Sequence, residues 1–284
     1  MLSQFRVQFM LILFPATIIY VLIKHYRKAI LCGICLIANS WMLFPFLIPR
    51  STPQEQGTVT RVIVFNVLTN NQRRDELLSF IQSRQPDIFV ALETNQTWVD
   101  QLQPLQQQFP HHRSVPRSDN FGIAIYSKIP FDAIDVRKYG PHSLPSFNSY
   151  FSIDGSKVNL IATHPLPPMR PQMADSRNRQ LAQAAGDLDS DHPRILVGDL
   201  NLTPWSPHFQ DVLEIGNLVS ASTNLKPTWS IFPTWLGGLK LDHVLHSPDI
   251  KIVTYTVGPN LGSDHRPVIV DFCIESEPVP NSAL

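Results

Sequence analysis

Two short stretches hold the residue types that cleave a phosphoester. Near the C-terminus the chain reads Gly262-Ser263-Asp264-His265-Arg266-Pro267, and about 65 residues earlier it reads Gly198-Asp199-Leu200-Asn201. Each adjoins an apolar, strand-like run. Hydrolysis needs neutralised nonbridging oxygens, a deprotonated water and a stabilised leaving oxygen. A hard divalent cation, Mg2+ or Mn2+, takes carboxylate and amide oxygens and keeps several waters, which serves all three needs. Further candidates recur at the ends of strand-like runs: Asn66, Glu93, His164 and Asp242. A carboxylate near a histidine raises the imidazole pKa and fixes its tautomer. That favours a cationic ring against an anionic phosphate.

Bringing these side chains together requires a scaffold, and the hydrophobic pattern outlines one. Residues 59–67 alternate and are rich in Val and Ile, a strand signal, whereas residues 73–84 carry Leu77, Leu78 and Ile81 at helical spacing. Strands are predicted at 87–92, 121–127, 131–136, 147–153, 157–163, 194–198, 241–246, 250–257 and 267–273. Asp154-Gly155 supplies a hairpin turn between two of them. Helices are predicted at 97–108, 172–188 and 207–213. Many strands with a few helices interspersed favour two packed sheets with helices outside. The polar residues singled out above fall at or just after strand ends, where loops carry sites on a rigid scaffold. The other histidines of this part read as surface or structural residues.

The ordered set Phe65-Asn66-Val67, Leu92-Glu93, Thr163-His164-Pro165, Gly198-Asp199-Leu200-Asn201, Leu241-Asp242-His243 and Ser263-Asp264-His265-Arg266-Pro267 resembles the endonuclease/exonuclease/phosphatase superfamily. The resemblance covers roughly residues 59–273. It implies a four-layered α/β sandwich, two packed, mainly antiparallel sheets flanked by helices. It also implies a division of labour. Glu93 is the principal metal-binding carboxylate, helped by Asn66, with Asp264 beside or on the same metal. Asp199 orients or deprotonates the attacking water, and Asn201 holds the phosphate or the metal. His265 binds a phosphate oxygen or acts as acid/base, oriented by Asp242. His164 contacts the scissile phosphate from the opposite side.

Two departures from the family pattern stand out. Some nuclease branches add an acidic or tyrosine residue from the middle strands, for which Asp119, Asn120 and Tyr126 are the candidates here. A basic-aromatic stretch for gripping DNA is missing. Trp205, Trp229, Phe232 and Trp235 lie near the motif loops without basic interleaving, and read as apolar contacts to lipid or a loop core.

Charge and hydropathy divide the chain. The first 50 residues contain Arg6, Lys24, Arg27, Lys28 and Arg50 but no Asp or Glu. Residues 51–284 hold 18 Lys and Arg against 23 Asp and Glu, which argues against nucleic acid as the main substrate. Residues 7–23 and 29–49 are nearly free of polar side chains and have spanning length, so residues 1–50 are expected to be a membrane anchor of two helices. Cys32 and Cys35 fall inside the second run and read as inert; Cys273 stands alone. The basic turn Lys24-His25-Tyr26-Arg27-Lys28 stays cytoplasmic by the positive-inside rule, so both termini are expected outside the cytoplasm. Residues 51–58 read as a linker, 59–275 as the catalytic domain and 276–284 as a disordered tail.

These readings converge on a phosphoesterase of the cell (inner) membrane, its catalytic domain periplasmic or extracellular. Lipid or polyprenyl phosphates and pyrophosphates are the favoured substrates. A Mg-dependent nuclease is the alternative, and a non-catalytic membrane-bound binding protein the second.

Overall fold

The computed structural model describes residues 2–46, 57–222, 224–230 and 237–274. Residues 51–56 of the expected linker, the expected tail 276–284, and Phe232 and Trp235 lie outside the described residues.

Twelve strands build two six-stranded sheets among the described residues. The first holds β1 (Thr60–Asn66), β2 (Ile88–Leu92), β3 (His111–Val115), β4 (Ile123–Ser127), β11 (Ile250–Val257) and β12 (Val268–Ile274) in the order β11-β12-β1-β2-β4-β3. The second holds β5 (Phe131–Tyr139), β6 (Leu144–Ile153), β7 (Ser156–Ala162), β8 (Arg194–Asp199), β9 (Val219–Ser220) and β10 (Asp242–His246) in the order β5-β6-β7-β8-β10-β9. Each sheet has one parallel pair at its centre, β1 with β2 and β7 with β8, and antiparallel pairs elsewhere. Each parallel pair needs a crossover. These are the helices α3 (Arg74–Arg84) and α5 (Pro171–Gly186).

Side-chain alternation assigns the layers. Val62 and Val64 of β1 point between the sheets, where they meet Phe147, Leu160 and Val197 of the second sheet in one buried core. Ile63 and Phe65 of the same strand point outward onto Leu77, Ile81 and Trp98, the last from α4 (Gln96–Gln101). On the far side Ile161 and Leu196 meet Leu181 of α5 and Phe209 of α6 (Pro207–Gly216). The result is the expected α/β/β/α sandwich. Central strands covered on both faces explain the continuous Val/Ile runs.

Three local expectations change. The helix expected over 97–108 is α4 followed by a 3-10 segment, Gln103–Gln107, because Pro104 cannot continue an α-helix. Strands β3 and β9 add to the set expected from the hydrophobic pattern. The edge strand β3 pairs with β4 through its backbone and shows no apolar alternation.

Before the sandwich stand α1 (Arg6–Leu22) and α2 (Tyr26–Leu43), packed together as a hairpin. Two spans, Ser3–Leu22 and Tyr26–Phe46, are long and apolar enough to cross a membrane. Their large apolar side chains face outward: Leu22 is 74% exposed, Ile37 69% and Trp41 77%, an apolar surface of the kind that marks an interaction face. Thr17, Asn39 and Ser40 each donate to the carbonyl four residues earlier, the economy expected of polar groups in lipid. The start of α1 meets the end of α2 through Arg6 and Asn39, so the basic turn lies at the other end of the hairpin.

Candidate active site

The sheets bring the selected residues to one end of the sandwich. Asn66 ends β1, Glu93 follows β2, His164 follows β7, and Asp199 ends β8. Asp242 opens β10 directly across from Asp199 in the antiparallel register. Asp264 and His265 sit in the loop that leads into β12, whose Val268 pairs with Val64. Parallel strand ends and antiparallel strand starts therefore converge on one edge.

Close approach by neighbouring atoms, backbone at Gly198 and side chain at Gly262, makes two of the motif glycines necessary. A Cβ at Gly198 (φ +152°) would stand 1.9 Å from the Thr163 carbonyl oxygen, and one at Gly262 (φ +90°) would stand 2.4 Å from the Asn71 side-chain oxygen. Glu93 and Asn201 adopt the left-handed region with φ of +61° and +51°. A non-glycine residue holds that conformation at a cost, and such residues cluster at functional sites.

Asp199 is the hub. Its Oδ2 lies 3.2 Å from Asn66 Nδ2, 3.4 Å from His164 Nε2 and 3.5 Å from His265 Nε2, and its Oδ1 accepts from the Asn201 amide at 3.0 Å. Asn66 Nδ2 also donates to Glu93 Oε1 at 2.9 Å, so one amide holds both carboxylates. The opposite edge of the His265 ring, Nδ1, meets Asp242 Oδ2 at 2.8 Å. Ser263 pins the loop by donating to the Asn66 carbonyl at 2.8 Å and accepting from the His265 amide at 3.0 Å.

The electrostatics follow from burial and pairing. Burial opposes charge on His265, but Asp242 and Asp199 outweigh it and push its pKa up to about 10. Burial likewise opposes ionisation of Asp199, yet His265 and His164 hold its carboxyl far below the ordinary range. His164 is also raised, against burial, by Asp199 and Glu93. Asp199 and His265 thus form a buried ion pair, while burial raises the pKa of the Asp242 carboxyl. His164 Nδ1 is buried without a hydrogen-bond partner among the described residues. Asp199, Asp242 and His265 place three ligand atoms within 4.8 Å of one another, close enough to hold a metal ion.

A cavity of about 660 Å³ opens over this array. Glu93, His164, Asp199, Asn201, Asp264 and His265 line its polar end. Asn66 and Asp242 lie beneath it, fully buried. Of the three extra candidates, Asp119 and Asn120 line the cavity. Tyr126 does not: it pairs with Phe89 near the start of β2 and packs on the outward face of the sheet among Phe89, Phe109 and His112.

The motif-loop tryptophans do more than make apolar contacts. Trp229 Nε1 donates to Asp264 Oδ2 at 2.9 Å, so this side chain belongs to the site. Trp205 is buried against Phe46, at the end of the second candidate span. His243 is buried away from the cavity, bonded to the Leu202 carbonyl, as a structural residue.

Fold and site together define a phosphoester-hydrolysing sandwich. Residues 63–265 match the Endonuclease/Exonuclease/phosphatase family, and the chain belongs to it. It is an enzyme of that class of metal-dependent phosphoesterases. Among solved structures, the Bacteroides vulgatus endonuclease/exonuclease/phosphatase superposes with a TM-score of 0.66 at 16% identity, covering 77% of this chain and 100% of that one. Sphingomyelinase C from Streptomyces griseocarneus gives 0.57 at 16% identity, covering 75% and 99%. D. rerio TDP2 complexed with single-strand DNA product gives 0.63 at 15% identity, covering 76% and 99%. At these identities the likeness is one of fold. No curated protein sequence matches the chain.

Proposed function

We propose that this chain is a membrane-anchored, divalent-metal-dependent hydrolase of lipid-borne phosphoesters, polyprenyl phosphates and pyrophosphates included, working outside the cytoplasm. One observation carries the substrate class: besides the charged array and the polar side chains of Gln4, Asp119 and Asn120, the cavity is walled by apolar side chains, among them Phe5, Phe121, Leu166, Met169, Met173 and Leu239. A phosphate at the polar end places its substituent along apolar side chains. Phe5 also directly precedes α1 and lies within the first candidate span. An active site tethered at a bilayer meets lipid phosphates at high effective concentration. No Lys or Arg lines the cavity among the described residues, which speaks against a polyanionic nucleic acid. The fold is shared with a sphingomyelinase as well as with a DNA-bound protein, and does not choose between them.

For the metal we favour Glu93 and Asp264. Both line the polar end and offer hard oxygens suited to Mg2+ or Mn2+, and Glu93 Oε2 has only a long contact, 3.4 Å, to the Thr69 amide. Asn66 supports that ion by holding Glu93. The nearby triad of Asp199, Asp242 and His265 suits a cation less well, because His265 Nδ1 is already committed to Asp242 and the ring is charged. A bound divalent ion would neutralise phosphate charge and activate water. The protein groups divide the rest. Asp199, ringed by donors, orients the water. His265, fixed by Asp242, and His164 from the other side bind the phosphoryl oxygens. Asn201 completes the phosphate cradle.

The deciding assay uses the full chain in detergent micelles with Mg2+, Mn2+ or chelator. The expected result is metal-dependent cleavage of polyprenyl or glycerolipid phosphates, abolished by chelator and by His265→Ala. Rapid plasmid nicking with no lipid phosphate cleaved would reverse the substrate assignment.

A further inference from the structure

The anchor reaches into the active site. The 3-10 turn Leu2–Phe5 precedes α1 and enters the cleft, where Gln4 is only 5% exposed. Its Nε2 donates to the Asn201 carbonyl at 3.2 Å, and its Oε1 accepts from the Thr203 amide at 2.8 Å. Its own carbonyl accepts from the Trp205 indole at 3.1 Å. One turn into α1, Gln8 Nε2 donates to the Gly238 carbonyl at 2.8 Å. These contacts join the first eight residues to the catalytic domain more than 190 positions away.

The chemistry explains why an amide stands at position 4. A carbonyl and the N–H two residues later are the pair that a neighbouring strand would engage. A primary amide offers one acceptor and a donor pair on a short fork, and satisfies both groups at once. The segment so held contains Asn201 in its left-handed conformation, with its side chain donating to the Pro165 carbonyl beside His164. Arg177 shares the Asn201 carbonyl at 2.9 Å, whereas among the described residues the Thr203 amide donates to Gln4 alone. Without Gln4 a buried amide would lose its partner, and the backbone would have to move to find one.

We propose that Gln4 is a positioning residue that fixes the Asp199-to-Thr203 segment, so that docking of the anchor and assembly of the active site are one event. The anchor is then a component of the site as well as a tether. This inference rests on the cleft being the catalytic site, and not on a lipid being its substrate.

The test compares full-length wild type, Gln4→Met and Gln4→Glu in identical micelles with Mn2+. The substrates are bis(p-nitrophenyl) phosphate, which is soluble, and a micellar lipid phosphate. Met keeps the length and volume but neither polar atom; Glu keeps an acceptor for Thr203 but turns an anion toward the Asn201 carbonyl. Misplacing a reacting group by an ångström can cost about a hundredfold in rate. The expected result is a kcat at least about tenfold lower for Gln4→Met on every substrate that wild type cleaves, with KM for the soluble diester little changed. Gln4→Glu is impaired to at least the same degree. Hydrogen exchange in residues 199–205 quickens in both variants while the cooperative melt persists. A kcat for Gln4→Met within about twofold of wild type, or unchanged exchange in 199–205, would overturn the proposal. Loss of the cooperative melt together with activity would overturn it in favour of a plain folding contribution. Wild type that cleaves the soluble diester but no lipid fails the lipid reading and leaves this test intact. If wild type cleaves neither, the exchange measurement still decides whether Gln4 holds the segment.

Discussion

An indole N–H donated to a carboxylate fixes its rotamer and leaves its charge intact. Trp229 does this to Asp264, one of the two carboxylates to which we assign the metal. Groups that orient metal ligands in this way typically govern about 10–100-fold in metal affinity. Trp229→Phe keeps the ring and removes only the donor. It is therefore expected to weaken Mn2+ binding by about tenfold, read as the Mn2+ concentration for half-maximal activity and as bound Mn2+ in electron spin resonance. An unchanged Mn2+ dependence would show that Asp264 is not held for a metal. At this scale the sequence is unevenly legible. Acidic residues and histidines at strand ends, such as Glu93, Asp199 and His265, advertise themselves because an ionisable group after an apolar strand has few structural uses. Trp229 and Gln4 do not. Each acts through hydrogen bonds to partners 35 and 197 positions away, and nothing local to either residue records that partner.

Strands carry the site by where they stop, and their centres were the easiest elements to read. Continuous Val and Ile runs in β1, β8 and β12 follow from burial on both faces. The edges were harder. Strand β3, His111-His112-Arg113-Ser114-Val115, is half exposed and defined by its pairing with β4, which leaves no hydrophobic signature. The element that most directly sets the chemistry is the parallel pair β7–β8, since it delivers His164 and Asp199 side by side. Gly198 permits their approach. In Gly198→Ala, a methyl 1.9 Å from the Thr163 carbonyl oxygen meets backbone of the paired strand's continuation rather than a flexible side chain, so it cannot be accommodated cheaply. The variant is expected to lose about 2–4 kcal/mol of stability from strain and overpacking, and to lose activity beyond that as His164 separates from Asp199. Thermal and denaturant unfolding in micelles measure the first effect, and kcat at a temperature where the variant is folded measures the second. A stability change under about 0.5 kcal/mol would contradict the close approach.

For the whole molecule, the question is which side of the membrane the site faces. The hairpin constrains the answer, because Arg6 meets Asn39 and Phe46 packs on Trp205. Both the start of α1 and the end of the second candidate span therefore lie at the catalytic domain, with Lys24, Arg27 and Lys28 at the opposite end. A bilayer around the hairpin separates that basic turn from the domain. Three cations within five residues stand against Arg6 at the other end of the hairpin, and short basic segments are retained in the cytoplasm. The positive-inside rule therefore predicts a catalytic domain outside the cytoplasm. The check replaces Cys32, Cys35 and Cys273 with serine and adds one cysteine, either His25→Cys in the turn or Gln107→Cys on the exposed surface of the domain. A membrane-impermeant maleimide is applied to cells with an intact cytoplasmic membrane. Gln107→Cys should label at once and His25→Cys only after permeabilisation. The reverse pattern would place the domain in the cytoplasm. It would also remove external lipid carriers as substrates, while leaving the metal site and the role of Gln4 as they stand.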